Sequence, residues 1–104
     1  MNKEYIEQLK TAIRNLHGCE SSHVETTPVK EMFKGQTIWE GDVETFKLTG
    51  HARASTCYAW AHASGKDDKK TRYVAVLALP PVHSPQDAVR AAIVAESRKD
   101  LGLG

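Results

Sequence analysis

The run Thr71-Arg72-Tyr73-Val74-Ala75-Val76-Leu77-Ala78-Leu79 constrains this chain more than any other stretch, because it is apolar in both phases of a strand. Successive side chains of a strand point to opposite faces, so Tyr73, Ala75, Leu77 and Leu79 fall on one face and Val74, Val76 and Ala78 on the other. A strand without a polar face has to be covered twice. The stretch before it, 55–63, alternates small residues (Cys57, Ala59, Ala61, Ala63) with large flat ones (Tyr58, Trp60, His62), again with a period of two. Ser-Gly-Lys-Asp-Asp-Lys-Lys at 64–70 joins the two as a polar turn, and the whole reads as a β-hairpin.

The flanking segments supply the rest of the architecture. From 2 to 17 the apolar residues Tyr5, Ile6, Leu9, Ala12, Ile13 and Leu16 recur every three or four positions, which predicts an amphipathic helix with Asn2 as N-cap and Gly18 as C-cap. Segments 24–33 and 36–48, separated by Lys34-Gly35, predict a second hairpin. Apolar character changes phase in both arms, so a bulge or bend is expected near Pro28 and another near Glu44 or Thr45. Pro28 cannot donate to a ladder, which places it at a sheet edge or in a bulge. After Pro80-Pro81, Ser84-Pro85-Gln86-Asp87 carries a cap, a first-turn proline and an acid, and predicts a helix to about Lys99. Its stripe is small (Ala88, Val89, Ala92, Ile93, Ala95), Arg98 and Lys99 fill its last turn, and 100–104 reads as a frayed end.

Helix, four strands and helix, with short links between strands, predict a single α+β domain over residues 1–104. The expected form is a two-layer sandwich: a four-stranded antiparallel meander flanked by N- and C-terminal helices, both on one face. The alanine-rich last helix suits the small face of Cys57, Ala59 and Ala61, which leaves Tyr58, Trp60 and His62, joined by Trp39, as an open aromatic face. Such a face predicts a homodimer, or a small-molecule ligand seated there.

A chain of 104 residues can bury one core without metals or disulfides to hold it. A formal net charge of +1 gives no electrostatic reason to expect nucleic acid, and no basic and aromatic interleaving of the RNA-binding kind is present. No apolar run reaches the ~20 residues of a membrane span. The N-terminal residues run directly into a helical pattern instead of the apolar core of a secretory signal, so a reducing cytoplasm is expected, with Cys19 and Cys57 as thiols.

Three groups of side chains carry chemistry by type. His17, Cys19 and His23 with Cys57 and His51 or His62 offer metal-ligand atoms, but not the doubly paired spacing of a structural zinc site, so no cofactor is expected. Glu40, Asp42 and Glu44 alternate on one side of their strand. That row suits a divalent cation or a carboxylate of raised pKa, and it equally suits the wet face of an edge strand. Cys57 and His62 lie five apart and face opposite sides of one strand, which leaves His51, just after Gly50, as the candidate general acid or base.

Gly50-His51, Cys57-Tyr58-Ala59-Trp60, Leu79-Pro80-Pro81-Val82, Ser84-Pro85 and Ala88-Val89-Arg90 together give the chain a resemblance to a family of small bacterial single-domain proteins. It is similar in size and style to the products of mobile gene cassettes. The resemblance implies no activity and assigns no residue. Two function classes follow from the residues themselves: a non-enzymatic binding module working through Trp39, Tyr58, Trp60, His62 and His51, or a small-molecule enzyme using His51 with a nearby carboxylate.

Overall fold

The structure, a computed structural model, describes residues 3–63 and 71–100, with the backbone alone for 62, 63, 71 and 96–100. The expected cap at Asn2, the loop 64–70, the side chains of Arg98 and Lys99 and the end 101–104 lie outside the described residues. The chain runs α1 (Lys3–His17), β1 (Glu20–Phe33), β2 (Gln36–Thr49), β3 (Thr56–Ala63), β4 (Thr71–Leu77) and α2 (Pro85–Asp100). The strands form one antiparallel sheet in sequence order, β1-β2-β3-β4. This is the α+β meander with terminal helices that the periodicities predict.

The layering differs from expectation. Ile6, Leu9 and Ile13 of α1 pack with Phe46, Leu48, Cys57 and Ala59, whereas Ala88 and Val89 of α2 pack with Val43, Tyr58 and Trp60. Odd and even residues of β3 therefore meet different helices, and the sheet lies between them in three layers instead of two. The physical reason is the double covering that the apolar strands require: Tyr73, Ala75 and Leu77 join the α1 cluster, and Val74 and Val76 the α2 cluster. Each helix is locally well founded. The Gly18 N–H closes α1 by donating to the Arg14 carbonyl at 2.8 Å. At the start of α2 the Ser84 Oγ accepts the Asp87 N–H at 3.1 Å, and the Asp87 carboxylate reaches back to the His83 N–H at 3.0 Å.

The same double covering explains the apparent phase change in β2. Val43 faces α2 while Phe46 and Leu48 face α1, so both phases are buried without any slip at Glu44 or Thr45. Bulges do occur, one opposite the Thr45–Phe46 step but on β1, the other near the hairpin tip on β2. Val24 is the extra residue in β1, between the pairs His23↔Phe46 and Glu25↔Thr45, and Ile38 is the extra residue in β2, between Glu31↔Trp39 and Met32↔Thr37. One insertion in each strand restores the register, so 25–31 run one step out of phase with both ends of the hairpin. Pro28 lies between them on β1, an edge strand that spares its missing N–H. The tip closes in two residues, Lys34 and Gly35, both at positive φ (52° and 79°), the conformation a type I′ hairpin turn requires.

Candidate functional site

β1 and β2 are 14 residues each, β3 only 8 and β4 only 7, so the first hairpin outruns the rest of the sheet. β2 pairs with β3 only from Glu44 to Lys47, opposite Ala59 to Thr56. Beyond Glu44 the two strands part, and β3 continues to Ala63 against β4 alone among the described residues. This fork and the hairpin arm above it are where the molecule departs from a closed two-sided core.

On the α1 side the fork is lined by polar groups. The Tyr5 hydroxyl accepts the N–H of Ala61 at 3.0 Å, which satisfies a β3 donor that β2 no longer reaches. Burial raises the Tyr5 pKa. The accepted Ala61 N–H opposes that shift, and the nearby carboxylates of Glu44 and Asp42 add to it. Glu44, with only 5% of its side chain exposed, accepts hydrogen bonds at Oε1 from Thr26 and from His23 Nε2, the latter at 2.8 Å. Its partners come from β1, and the Val24 bulge lies between them: Thr26 stands directly opposite Glu44, and the His23 ring meets that of Phe46 at 5.4 Å, tilted by 59°. A carboxylate this far from water is kept by such bonds.

On the α2 side the fork is filled by rings. Trp39 meets Trp60 edge to face with centroids 5.6 Å apart. The Trp39 indole also lies over Gly41, where an added Cβ would stand 3.2 Å from the ring, so a larger residue would fit only if the indole moved by a few tenths of an ångström. Trp60 is 2% exposed and Tyr58 is buried beside it. The Tyr58 hydroxyl is pushed up in pKa by burial, then by Asp87 and Glu25.

The predicted aromatic face is thus brought together as Trp39, Tyr58 and Trp60, but as core beneath α2 and not as an open platform. The correction follows from placing α2 on the large face of β3 and α1 on the small one. His62 pairs through its backbone with Arg72, and its side chain lies outside the described residues. His51 stands apart, in the connection between β2 and β3. Its Nδ1 accepts the N–H groups of Arg53 and Ala54 at 3.1 and 3.0 Å, and its ring meets His17 edge-on at 6.3 Å. Five residues of extended strand, about 16 Å, separate Glu44 from Thr49, after which the loop with His51 begins. Of the acidic row, Glu40 and Asp42 are the exposed face of a strand and Glu44 is buried. Cys19 and Cys57 are free and buried in the α1 cluster, and burial, with Cys19 nearby, pushes the Cys57 thiol up to about 12. Among the described residues no three His, Cys, Asp or Glu side chains come together as a metal site, and no helix is long and apolar enough to cross a membrane.

Two features were not anticipated from sequence. One is the His23, Thr26 and Glu44 cluster, which a count of register back from the Lys34-Gly35 turn reveals once a bulge in each strand is allowed. The other is the apolar tip of the long hairpin, where Met32, Phe33 and Ile38 are 48%, 61% and 47% exposed and Lys34 Nζ lies 5.5 Å from the Phe33 ring centroid. Their signal was three large apolar residues within four positions of a tight turn. Comparison with models of protein families, with curated proteins and with solved structures finds no match for this chain.

Proposed function

We propose that this chain is a non-enzymatic interaction module of the cytoplasm that works as a homodimer through the projecting half of the β1–β2 hairpin. The observation that carries the reading is the exposure of Met32, Phe33 and Ile38 together on an arm that leaves the body of the sheet. Contiguous apolar surface on a small protein marks an interaction site more often than it marks idle surface. A second copy supplies an identical apolar tip, so an isologous contact covers apolar surface of both chains at once. The enzyme reading, with His51 and a carboxylate, has less support, because both bonds at His51 Nδ1 serve to order its own loop.

Light scattering coupled to size exclusion tests the reading. Between about 10 and 300 µM, the range in which a small specific interface associates, the weight-average mass is expected to rise toward that of two chains. Phe33→Ser, at an exposed position, is expected to keep the native circular dichroism and remain monomeric. A wild-type protein monomeric across that range refutes the dimer.

A further inference from the structure

We infer that the connection between β2 and β3 is a proton-operated latch, held closed by neutral His51 and released when that ring is protonated. The inference goes beyond the dimer reading and does not depend on it, since the connection lies at the end of β2 opposite the hairpin tip. What the latch holds is the joint between the two hairpins. Among the described residues, β2 pairs with β3 over four positions, Glu44 to Lys47, and the Leu48 N–H extends that ladder by donating to the Ser55 carbonyl at 2.9 Å. The chain from 49 to 54 must therefore turn tightly enough to bring Ser55 back beside Leu48.

That turn is organised on one atom. His51 Nδ1 accepts the N–H groups of both Arg53 and Ala54, at 3.1 and 3.0 Å, and Ala54 is buried in the α1 cluster with Cys19 and Leu48. Asn and Asp make side-chain-to-backbone turns of this kind as fixed acceptors. Here the acceptor is an imidazole, the side chain type that ordinarily takes up a proton between pH 8 and 5. A nitrogen that accepts two N–H groups carries no hydrogen of its own, so the ring is the Nε2–H tautomer. An added proton can go only to Nδ1, where it sets a third N–H against the other two and ends both bonds. His17, whose ring meets that of His51 at 6.3 Å, behaves differently. The Ala75 carbonyl can only accept, so His17 Nε2 donates to it at 2.9 Å, and that bond survives protonation. The other titratable and charged groups on the adjoining elements are Arg53 of the turn itself, the buried Cys19 thiol, and Arg14 of α1, which binds Glu20 of β1 at 2.6 and 2.7 Å. Lys47 of β2 shares the strand phase of Val43 and falls on the α2 side. No unpaired acid is among them to hold an imidazolium in place.

Nuclear magnetic resonance between pH 8 and 5 tests the latch. In the wild-type chain the Arg53 and Ala54 amide resonances are expected to move together with those of the His51 ring. Their protection from hydrogen exchange, corrected for the intrinsic pH dependence of exchange, is expected to fall about tenfold, and Leu48 is expected to lose protection with them. His51→Asn puts an acceptor that does not titrate in the place of Nδ1 and is expected to hold protection constant over the range. His17→Gln keeps a donor for the Ala75 carbonyl and is expected to leave the response intact. Circular dichroism verifies that each variant is folded, and the wild-type and His17→Gln titrations decide the matter even if His51→Asn is not. Arg53 and Ala54 amides that ignore pH in the wild type, or that respond equally in folded His51→Asn, overturn the latch. A response that disappears in His17→Gln overturns the role of His51, and a Leu48 amide that stays protected while the other two respond overturns the hold on the joint. The homodimer is read by mass and stands or falls separately from all of these.

Discussion

Truncation of Trp60 to alanine distinguishes a core from an interface. Trp60 is 2% exposed, in a cluster with Val43, Tyr58, Val82, Ala88 and Val89, and its ring packs against Trp39. A buried indole removes about 200 Å² from water, which at roughly 25 cal/mol per Å² corresponds to about 5 kcal/mol as an upper bound. Truncations of buried aromatic rings to alanine in other cores cost about 3–5 kcal/mol. About 4 kcal/mol is therefore expected here, a large share of the roughly 5–15 kcal/mol available to a domain of this size. Urea unfolding followed by far-ultraviolet circular dichroism measures it. With a slope of roughly 1.5 kcal/mol per M, the midpoint falls by about 2–3 M, and the loss is the same at low and high protein concentration. A loss below about 1 kcal/mol, or one that grows on dilution, would mean that the indole faces a partner and that α2 does not cover it.

Alkaline pH probes the other cluster. The folded Cys57 thiol titrates at about 12 against an ordinary value of 9.0, so the unfolded state loses its proton first, stability is complete below pH 9, and it falls as pH rises toward 12. At pH 10.5 the loss attributable to this group is about 2 kcal/mol, and Cys57→Ala, compared with wild type at pH 8 and 10.5 by urea unfolding, is expected to remove it; identical pH dependence in the two proteins would contradict burial of the thiol. For the buried carboxylate, His23→Phe keeps a ring on Phe46 but takes one donor from Glu44, and is expected to cost about 3 kcal/mol. Adding Glu44→Leu to that variant is expected to raise stability, because it removes a buried acid that is left with Thr26 as its one named donor; a double variant less stable than His23→Phe alone would show that burial of the acid is not the source of the cost.

Much of the fold was legible because it rests on local rules. The helical stripe at Ile6, Leu9 and Ile13, the turn at Lys34-Gly35 and the cap at Ser84 each depend on neighbours a few residues away, and all three stand as read. The layer assignment depended on a choice that period-two alternation cannot make. Alternation shows that Cys57 and Tyr58 point oppositely, not which helix meets which. The large stripe of α1 went to the small face of β3 and the small stripe of α2 to its large face, so that bulky residues interdigitate with small ones on both sides. The candidate site suffered from the same ambiguity, since Trp39, Tyr58 and Trp60 become a surface or a core according to where α2 lies. The Glu44 cluster was hidden for a different reason. A register error of one residue moves every partner, and two compensating bulges leave the ends of the hairpin aligned while shifting the middle, where Thr26 meets Glu44.

Excess strand length above a finished core is cheapest when it is polar and loose, and this arm is neither. Its base is fastened on one side by Thr26 and His23 bound to a buried Glu44, and on the other by Trp39 packed against Trp60. Along its β1 strand, Glu31 is held by Gln86 and by Arg90 Nε at 2.9 Å from α2, and those contacts keep its carboxyl below the usual range. The arm is thus anchored to both layers and its strands are paired to the tip. Anchoring of this kind removes conformational freedom before any partner arrives, so less is lost on association. An apolar tip costs solubility unless it is covered, and a fixed arm that presents such a tip is suited to meeting a surface. The polar fastening at the fork and the apolar exposure at the tip thus fall on one hairpin, with Glu44 bonded to Thr26 and His23 at its base and Phe33 and Ile38 exposed near its end.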